Sequence, residues 1–557
     1  MACSKFFSGD LPELINEVMQ HFHCDYRTLH SCILVNRLWC RLAIPLLWEN
    51  PFSIKFPKNY RFIEIYLYNL NDEDKAKLNE YIIYNDLFPS NTLFNYSSFI
   101  QRLETHKIVN SIDIWVETVK TATTKVPNSD YFIRFRNLLS YSQMINFTKL
   151  IYKSLFRIFI ENKVNLHSFE FRLLNNEDLK YFDEILELIL QNPNFICNIK
   201  NFKLDFYMTN ITNDNIIRFL SFLSSNCNSI SSVHLLHLLF PSYYNNFSII
   251  EKILSQLINS QKNLQKILLG YSDFPLYHLP LSLKNPNCSN KLKTIIFYYV
   301  DFKNVTVLNE VFNQLNVLES IHIICCYSLD SRFIQQIINI TKPFKLKSLL
   351  LDEILHIEPL VLLIQKSGDY LENFGNEGGP QSLVQLFEST IKYCNKIKLL
   401  NLISGLNNEN INLVFSLIEN VKQNLNYLFL ETYDIKISSI ILQNLGQVLP
   451  DNLEYLSLYF DINNINDLEV FLKNSQNTFI KKLLIRNEMN EESEEIFPYI
   501  KEYIMKKKKV KYLAILGIFD KDLFFLKDKV EEFKLYDIQV LSYYDLFVDI
   551  YNLIKDD

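Results

Sequence analysis

Glycine is scarce: nine residues in a chain of 557, about a quarter of the usual frequency. Loops that cradle a phosphate are built on glycine, since only a residue without a Cβ lets the backbone close on the ligand. The one glycine-rich run, Gly375-Asn376-Glu377-Gly378-Gly379-Pro380, matches neither GxxxxGK[ST] nor GxGxxG and reads as a turn. Nucleotide chemistry has no visible seat, and no cofactor is expected. The ten cysteines include no CxxC pair, only the doublet Cys325-Cys326. That usage fits neither a zinc ribbon nor a disulfide framework and points to a reducing compartment. No stretch offers about 18 uninterrupted apolar residues, and the opening Met1-Ala2-Cys3-Ser4-Lys5 has no apolar run behind a basic start, so neither a membrane span nor secretion is expected. Nor does one sign of charge dominate. With 56 Lys and Arg against 62 Asp and Glu the net charge is −6, too little field for a general nucleic-acid or anionic-membrane binder. The expectation is a cytoplasmic or nuclear protein with no nucleic-acid or membrane partner.

What the chain has is length and rhythm. At 557 residues, 48% of them hydrophobic, it exceeds a single core, which stops growing near roughly 250–300 residues. Several domains or an elongated repeat are implied. A pattern of apolar, two residues, apolar, one residue, apolar recurs at Leu264-Ile267-Leu269, Leu292-Ile295-Phe297, Leu318-Ile321-Ile323, Leu346-Leu349-Leu351, Ile397-Leu400-Leu402, Leu425-Leu428-Leu430 and Leu453-Leu456-Leu458. The starts 264, 292, 318 and 346 lie 28, 26 and 28 residues apart, and looser copies begin at Leu166, Ile199, Ile230, Leu371, Ile480 and Val510, thirteen units in all. The alternating apolar positions predict a short strand with one buried face. The rest of each unit reads as helix: Phe333, Ile334, Ile337 and Ile338, or Ile411, Val414, Phe415 and Ile418, are spaced for one apolar stripe. The expected fold is α/β, a curved parallel sheet with outer helices wound as a solenoid.

These units resemble leucine-rich repeats of the longer class, with a helix on the outer face, over residues 166–540. The family's asparagine after the strand is mostly replaced, by Ser272, Val300, Ile354 and Tyr433, with Cys326 the one typical substitute.

Residues 8–50 differ in character. Leu11-Pro12-Glu13-Leu14, then Asp25, Leu29, Cys32, Leu34, Val35, Arg37, Trp39, Leu42, Ala43 and Trp48 indicate two or three short helices, with Pro12 tolerated in a first turn and Asp10 placed to cap it. So small a unit buries little surface alone, which leaves apolar area for a partner. This head resembles an F-box. The resemblance implies docking on the Skp-type adaptor of a cullin-RING ubiquitin ligase, through Leu11, Pro12, Leu14, Leu29, Val35 and Trp39, while the downstream repeats hold a protein substrate.

Residues 51–165 read as a helical connector and N-terminal cap, or as degenerate repeats. Residues 541–557 read as a C-terminal cap, since an exposed sheet end invites aggregation. Lining up the strand residues that point away from the helices places Ser320 and Ser348 in the middle, then Tyr427, Tyr455 and Tyr512, with Lys482 interposed and Phe429 and Tyr459 alongside. At about 4.8 Å between strands these five aromatics form a candidate substrate-binding patch on the concave face. Other constellations carry less. His21, His23 and Cys24 lack the second half of a zinc site; His234 and His237 lack the glutamate of HExxH; Lys506 to Lys509 close a helix whose dipole favours cations there. No triad, carboxylate pair or metal spacing stands out. The expected function is a non-catalytic substrate receptor, with a ubiquitin-independent scaffold or sensor as the alternative.

Overall fold

The computed structural model describes residues 12–23, 25–54, 60–67, 69–84, 92–124, 133–137, 139–206, 214–237, 246–272, 278–303, 305–352, 354, 356–377, 383–403, 405–462, 464–487, 497–507, 509–517 and 522–555. Two compact units follow one another, Met1–Ile267 and Leu268–Asp557.

In the first unit the helices Pro12–Gln20, Tyr26–Cys32 and Arg37–Leu47 close a small core of Ile15, Met19, Leu29, Cys32 and Ala43, with Phe22, Trp39 and Leu42 packed against it. Local chemistry sets their limits, because the first N–H groups of a helix have no partner within it. The Asp25 carboxylate accepts the Thr28 N–H at 3.1 Å and the Thr28 hydroxyl at 2.7 Å, and Asn36 accepts the Trp39 N–H at 2.9 Å. Asp10 lies outside the described residues. Beyond the head come an antiparallel pair, Ile82–Tyr84 with Ile133–Phe135, and the long helices Thr105–Thr124 and Tyr141–Glu161. Within this connecting stretch the short strand Arg102–Glu104 already pairs in parallel with Ser168–Leu173, which continues into Asn201–Phe206 and Ser232–Leu236.

The second unit carries strands from Lys266–Ser272, which straddles the boundary, to Gln539–Val540. Among the described residues strand order follows chain order, with four sheet strands in the first unit and eleven in the second. The described strand-to-strand pairings in the second unit's sheet are parallel. Register keeps the repeat anchors in rows: Leu428, Leu456, Leu483 and Leu513 stand side by side, as do Leu430, Leu458, Ile485 and Ile515. Helices supply the other half of this core. Ser331–Ile338, capped by Asp330, buries Phe333, Ile334 and Ile337; Ile411–Val421 buries Ile411, Val414, Leu417 and Ile418, leaving Phe415 half-buried. The result is a solenoid-like α/β fold. Among the described residues no helix is long and apolar enough to cross a membrane.

Gly375 departs from its expected turn. It sits inside the strand Asn373–Asn376, where an added Cβ would lie 2.7 Å from the Asn401 carbonyl oxygen and 2.8 Å from the Leu350 side chain. Glycine is required there by the close approach of the neighbouring strands. Gly378 and Gly379 lie outside the described residues.

Candidate functional site

Leu14 is 45% exposed and Val35 52%, next to Leu34 at 75%. Leu34 and Val35 occupy the turn between the second and third helices. Trp39 is half-buried against the small core. Leu29 is a correction: it is fully buried between Ile15, Met19 and Cys32, because it falls on the inward side of a helix that has only one layer to pack on, so it holds the head together and offers no surface. Leu11, and the side chain of Pro12, lie outside the described residues.

The inner face of the first unit's sheet is charged. Lys203 pairs with Glu170 at 2.9 Å, Lys107 with Glu104 at 2.6 Å, and Arg172 and His237 converge on Asp205 at 3.1 and 2.6 Å. Burial by itself would raise the Asp205 pKa, but the His237 hydrogen bond and charge, with Arg172, outweigh it and hold the carboxyl below its ordinary value. Glu104, His106 and Glu170 bring ligand-type atoms within 4.8 Å of one another, and burial lowers the His106 pKa. Both carboxylates already hold a lysine, which a cation would have to displace. Sequence reasoning missed this trio. Glu104 and Glu170 are register partners on strands 66 residues apart, a distance that no motif spans.

The second unit's inner face holds the aromatic patch in the expected register: Tyr427, Tyr455, Lys482 and Tyr512 are successive partners. Tyr455 is 0% exposed and Phe429 5%, their rings 4.9 Å apart, with Tyr427 6.4 Å from Tyr455. Tyr427, Tyr459 and Tyr512 are half-buried, and the Arg486 guanidinium lies 4.4 Å over the Tyr459 ring. Lys482 interrupts the row before Tyr512. Toward the middle the inner positions become small, with Ser320, Ser348 and Gly375, and polar groups interlock: His322 Nδ1 and the Asn373 amide both meet the Ser348 hydroxyl, at 2.7 and 2.8 Å.

What buries Tyr455 is the chain's own C-terminal segment. Residues 541–557, expected as a cap, have their described part across the inner face. The Tyr543 N–H donates to Asp522 at 2.7 Å, the Val548 N–H donates to the Tyr455 hydroxyl at 3.2 Å, and the Tyr551 ring stacks on Tyr298 at 4.2 Å. Tyr298 and Tyr455 stand on strands six steps apart, about 29 Å along a flat sheet at about 4.8 Å per step. Val548 and Tyr551 are three residues apart and span at most about 11 Å. With the reach of the Tyr455, Tyr551 and Tyr298 side chains and the contacts of 3.2 and 4.2 Å added, the segment spans that distance.

Between segment and sheet lies a cavity of about 430 Å³ lined by Tyr298, Tyr299, Cys325, Glu377, Phe429 and Arg486, among others. Neighbouring residues such as Tyr298 and Tyr299 should point to opposite faces of a strand. A left-handed residue breaks that alternation. His237, Tyr271, Tyr299 and Cys325 all have φ between 50° and 53°, each seven residues after the anchors Ile230, Leu264, Leu292 and Leu318. With so little glycine available, side-chain-bearing residues occupy this strained backbone, and Tyr299 and Cys325 line the cavity beside Tyr298 and Ile324. Burial pushes the Tyr298, Tyr299 and Cys325 pKa values up; burial first, then the charge of Asp352, raises that of Glu377, which accepts the Asn401 amide at 3.0 Å. Cys325 and Cys326 are free thiols. Cys326, its pKa pushed up to about 12 by burial, accepts the Val300 N–H at 3.5 Å, so at its slot a backbone group after the strand is satisfied. Extending the inner-face alignment back to Tyr298 would have found this second aromatic group. No family model matches the chain, and no curated protein matches its sequence.

Proposed function

We propose that this chain is a non-catalytic receptor of the cytosol or nucleus, whose head engages a Skp-type adaptor of a cullin-RING ubiquitin ligase and whose inner repeat face receives a protein target. The observation that carries the reading is a three-helix head with its own core that leaves Leu14, Leu34 and Val35 exposed, an apolar group that a small unit keeps in water only at a cost. Pull-down of the full chain with purified Skp-type adaptor tests it. Binding is expected, and is expected to be lost in Leu34→Asp/Val35→Asp, two exposed positions where the fold tolerates charge. Absence of binding by folded full-length protein overturns it.

A second reading, a scaffold without adaptor, draws on the ties between the head and the sheet's first strand. Glu49 pairs with Arg102 at 2.8 Å and accepts the Gln101 N–H through its carbonyl at 3.1 Å, so the head also serves as an end cap. The same pull-down separates the two.

A further inference from the structure

The C-terminal segment is the best guide to what the second unit's inner face accepts. Aromatics stand four apart at Tyr543, Phe547 and Tyr551, interleaved with Asp545 and Asp549. The short helix Tyr543–Leu546 and the helix Ile550–Lys555 flank an extended link. Among the described residues the segment beyond Leu541 forms no strand pairing with the sheet; it is held by side chains and a few hydrogen bonds, including those at Asp522 and Tyr455. It also fits imperfectly. The cavity of about 430 Å³ beneath it is room for on the order of ten waters, in contrast to the close packing of protein interiors. A covalently attached segment tolerates such a fit, because tethering gives it an effective concentration in the millimolar range.

From this we infer that the inner face of the second unit is a groove for a linear peptide with aromatic residues four apart and acidic residues between them, and that the chain's own Ser542–Lys555 segment occupies it until a better-fitting partner displaces it. The inference rests on the reading of the inner face as the target-binding surface and is independent of the adaptor reading of the head.

The test uses a fluorescein-labelled peptide of residues 542–557, followed by anisotropy. The first receptor is the full chain carrying Val548→Pro and Tyr551→Ala, which removes the N–H given to Tyr455 and the ring stacked on Tyr298. The second is a chain ending at Leu541. Circular dichroism and a thermal melt check that each is folded. The peptide is expected to bind both opened forms at least tenfold more tightly than it binds the unaltered chain. It is also expected to lose at least tenfold when its own Tyr543 and Tyr551 are changed to alanine, or when Tyr298→Ala is added to either receptor. No binding to folded, opened receptor overturns the inference, as does equal binding to opened and unaltered chains, which places the peptide elsewhere. Unfolding of both opened forms also overturns it, since the segment is then a fixed part of the core. Failure of the adaptor pull-down leaves all these outcomes unchanged, so the two readings fall separately.

Discussion

The same strand-and-helix repeat builds two unlike inner faces. In the first unit, inner positions pair charge with charge: Glu170 with Lys203, and Asp205 with Arg172 and His237. In the second, ring lies against ring at Tyr427, Phe429 and Tyr455, beneath a segment from the chain's own end. The anchors that face the helices are alike in both, with Phe169, Phe202 and Val233 in one row of the first and Leu428, Leu456 and Leu483 in the second. The fold is therefore set by the helix-facing half of each strand, and the inner half is free to vary with what it must meet. A half-solvated ion pair adds little, typically about 0–1 kcal/mol, whereas a buried aromatic carries a large transfer term.

That contrast predicts unequal costs. Tyr455→Ala should destabilise the protein by about 3–5 kcal/mol in urea unfolding, as expected for a fully buried ring, and Tyr455→Phe by about 1 kcal/mol through the hydrogen bond with Val548. In the first unit Asp205→Ala should cost less, about 1–3 kcal/mol, because it removes the hydrogen-bond partner of His237 and the counter-ion of Arg172. Lys203→Ala should fall within about 1 kcal/mol. A Lys203→Ala cost equal to that of Tyr455→Ala would erase the distinction between the faces.

The smallest effect is also the sharpest, because its sign differs between faces. The folded pKa of Asp205 lies below its unfolded value, so its contribution is present above the unfolded pKa and is lost as pH falls through the folded one. Asp205→Asn should flatten the acid limb of a melting-temperature curve measured from about pH 3 to 8. Glu377 is shifted the other way. Its neutral form suits the fold, so its contribution is present below the unfolded pKa and is lost as pH rises through the folded one. Glu377→Gln, which keeps an acceptor for Asn401, should raise the melting temperature above that range and leave it unchanged below. The same direction of change in both variants would sink the opposition.

Much of this was legible in the residues. The period-two anchors and the helical stripe at Phe333, Ile334 and Ile337 depend on spacing within one unit, and so does the caps' chemistry at Asp25 and Asn36. The alignment of Tyr427, Tyr455 and Tyr512 followed from repeat register alone. Leu29 could not be told from an interface residue, because its helix has a single apolar face, Tyr26, Leu29 and Cys32, and spacing does not say whether that face meets the head's own core or a partner. Gly375 was misplaced because the need for glycine came from Leu350 and Asn401, on the strands either side.

Spacing along the chain determined the strand-helix rhythm, the parallel sheet and the face of each regular strand position, because these follow from side-chain periodicities of two and about 3.6 residues. Tertiary structure alone decided which part of the inner face is open. Tyr455 is buried by Val548, 93 residues downstream, and Tyr299 and Cys325 turn inward because the backbone at each strand end is left-handed. Neither can be read from spacing: one is a contact between residues far apart in the chain, the other a left-handed backbone residue near the end of these particular strands.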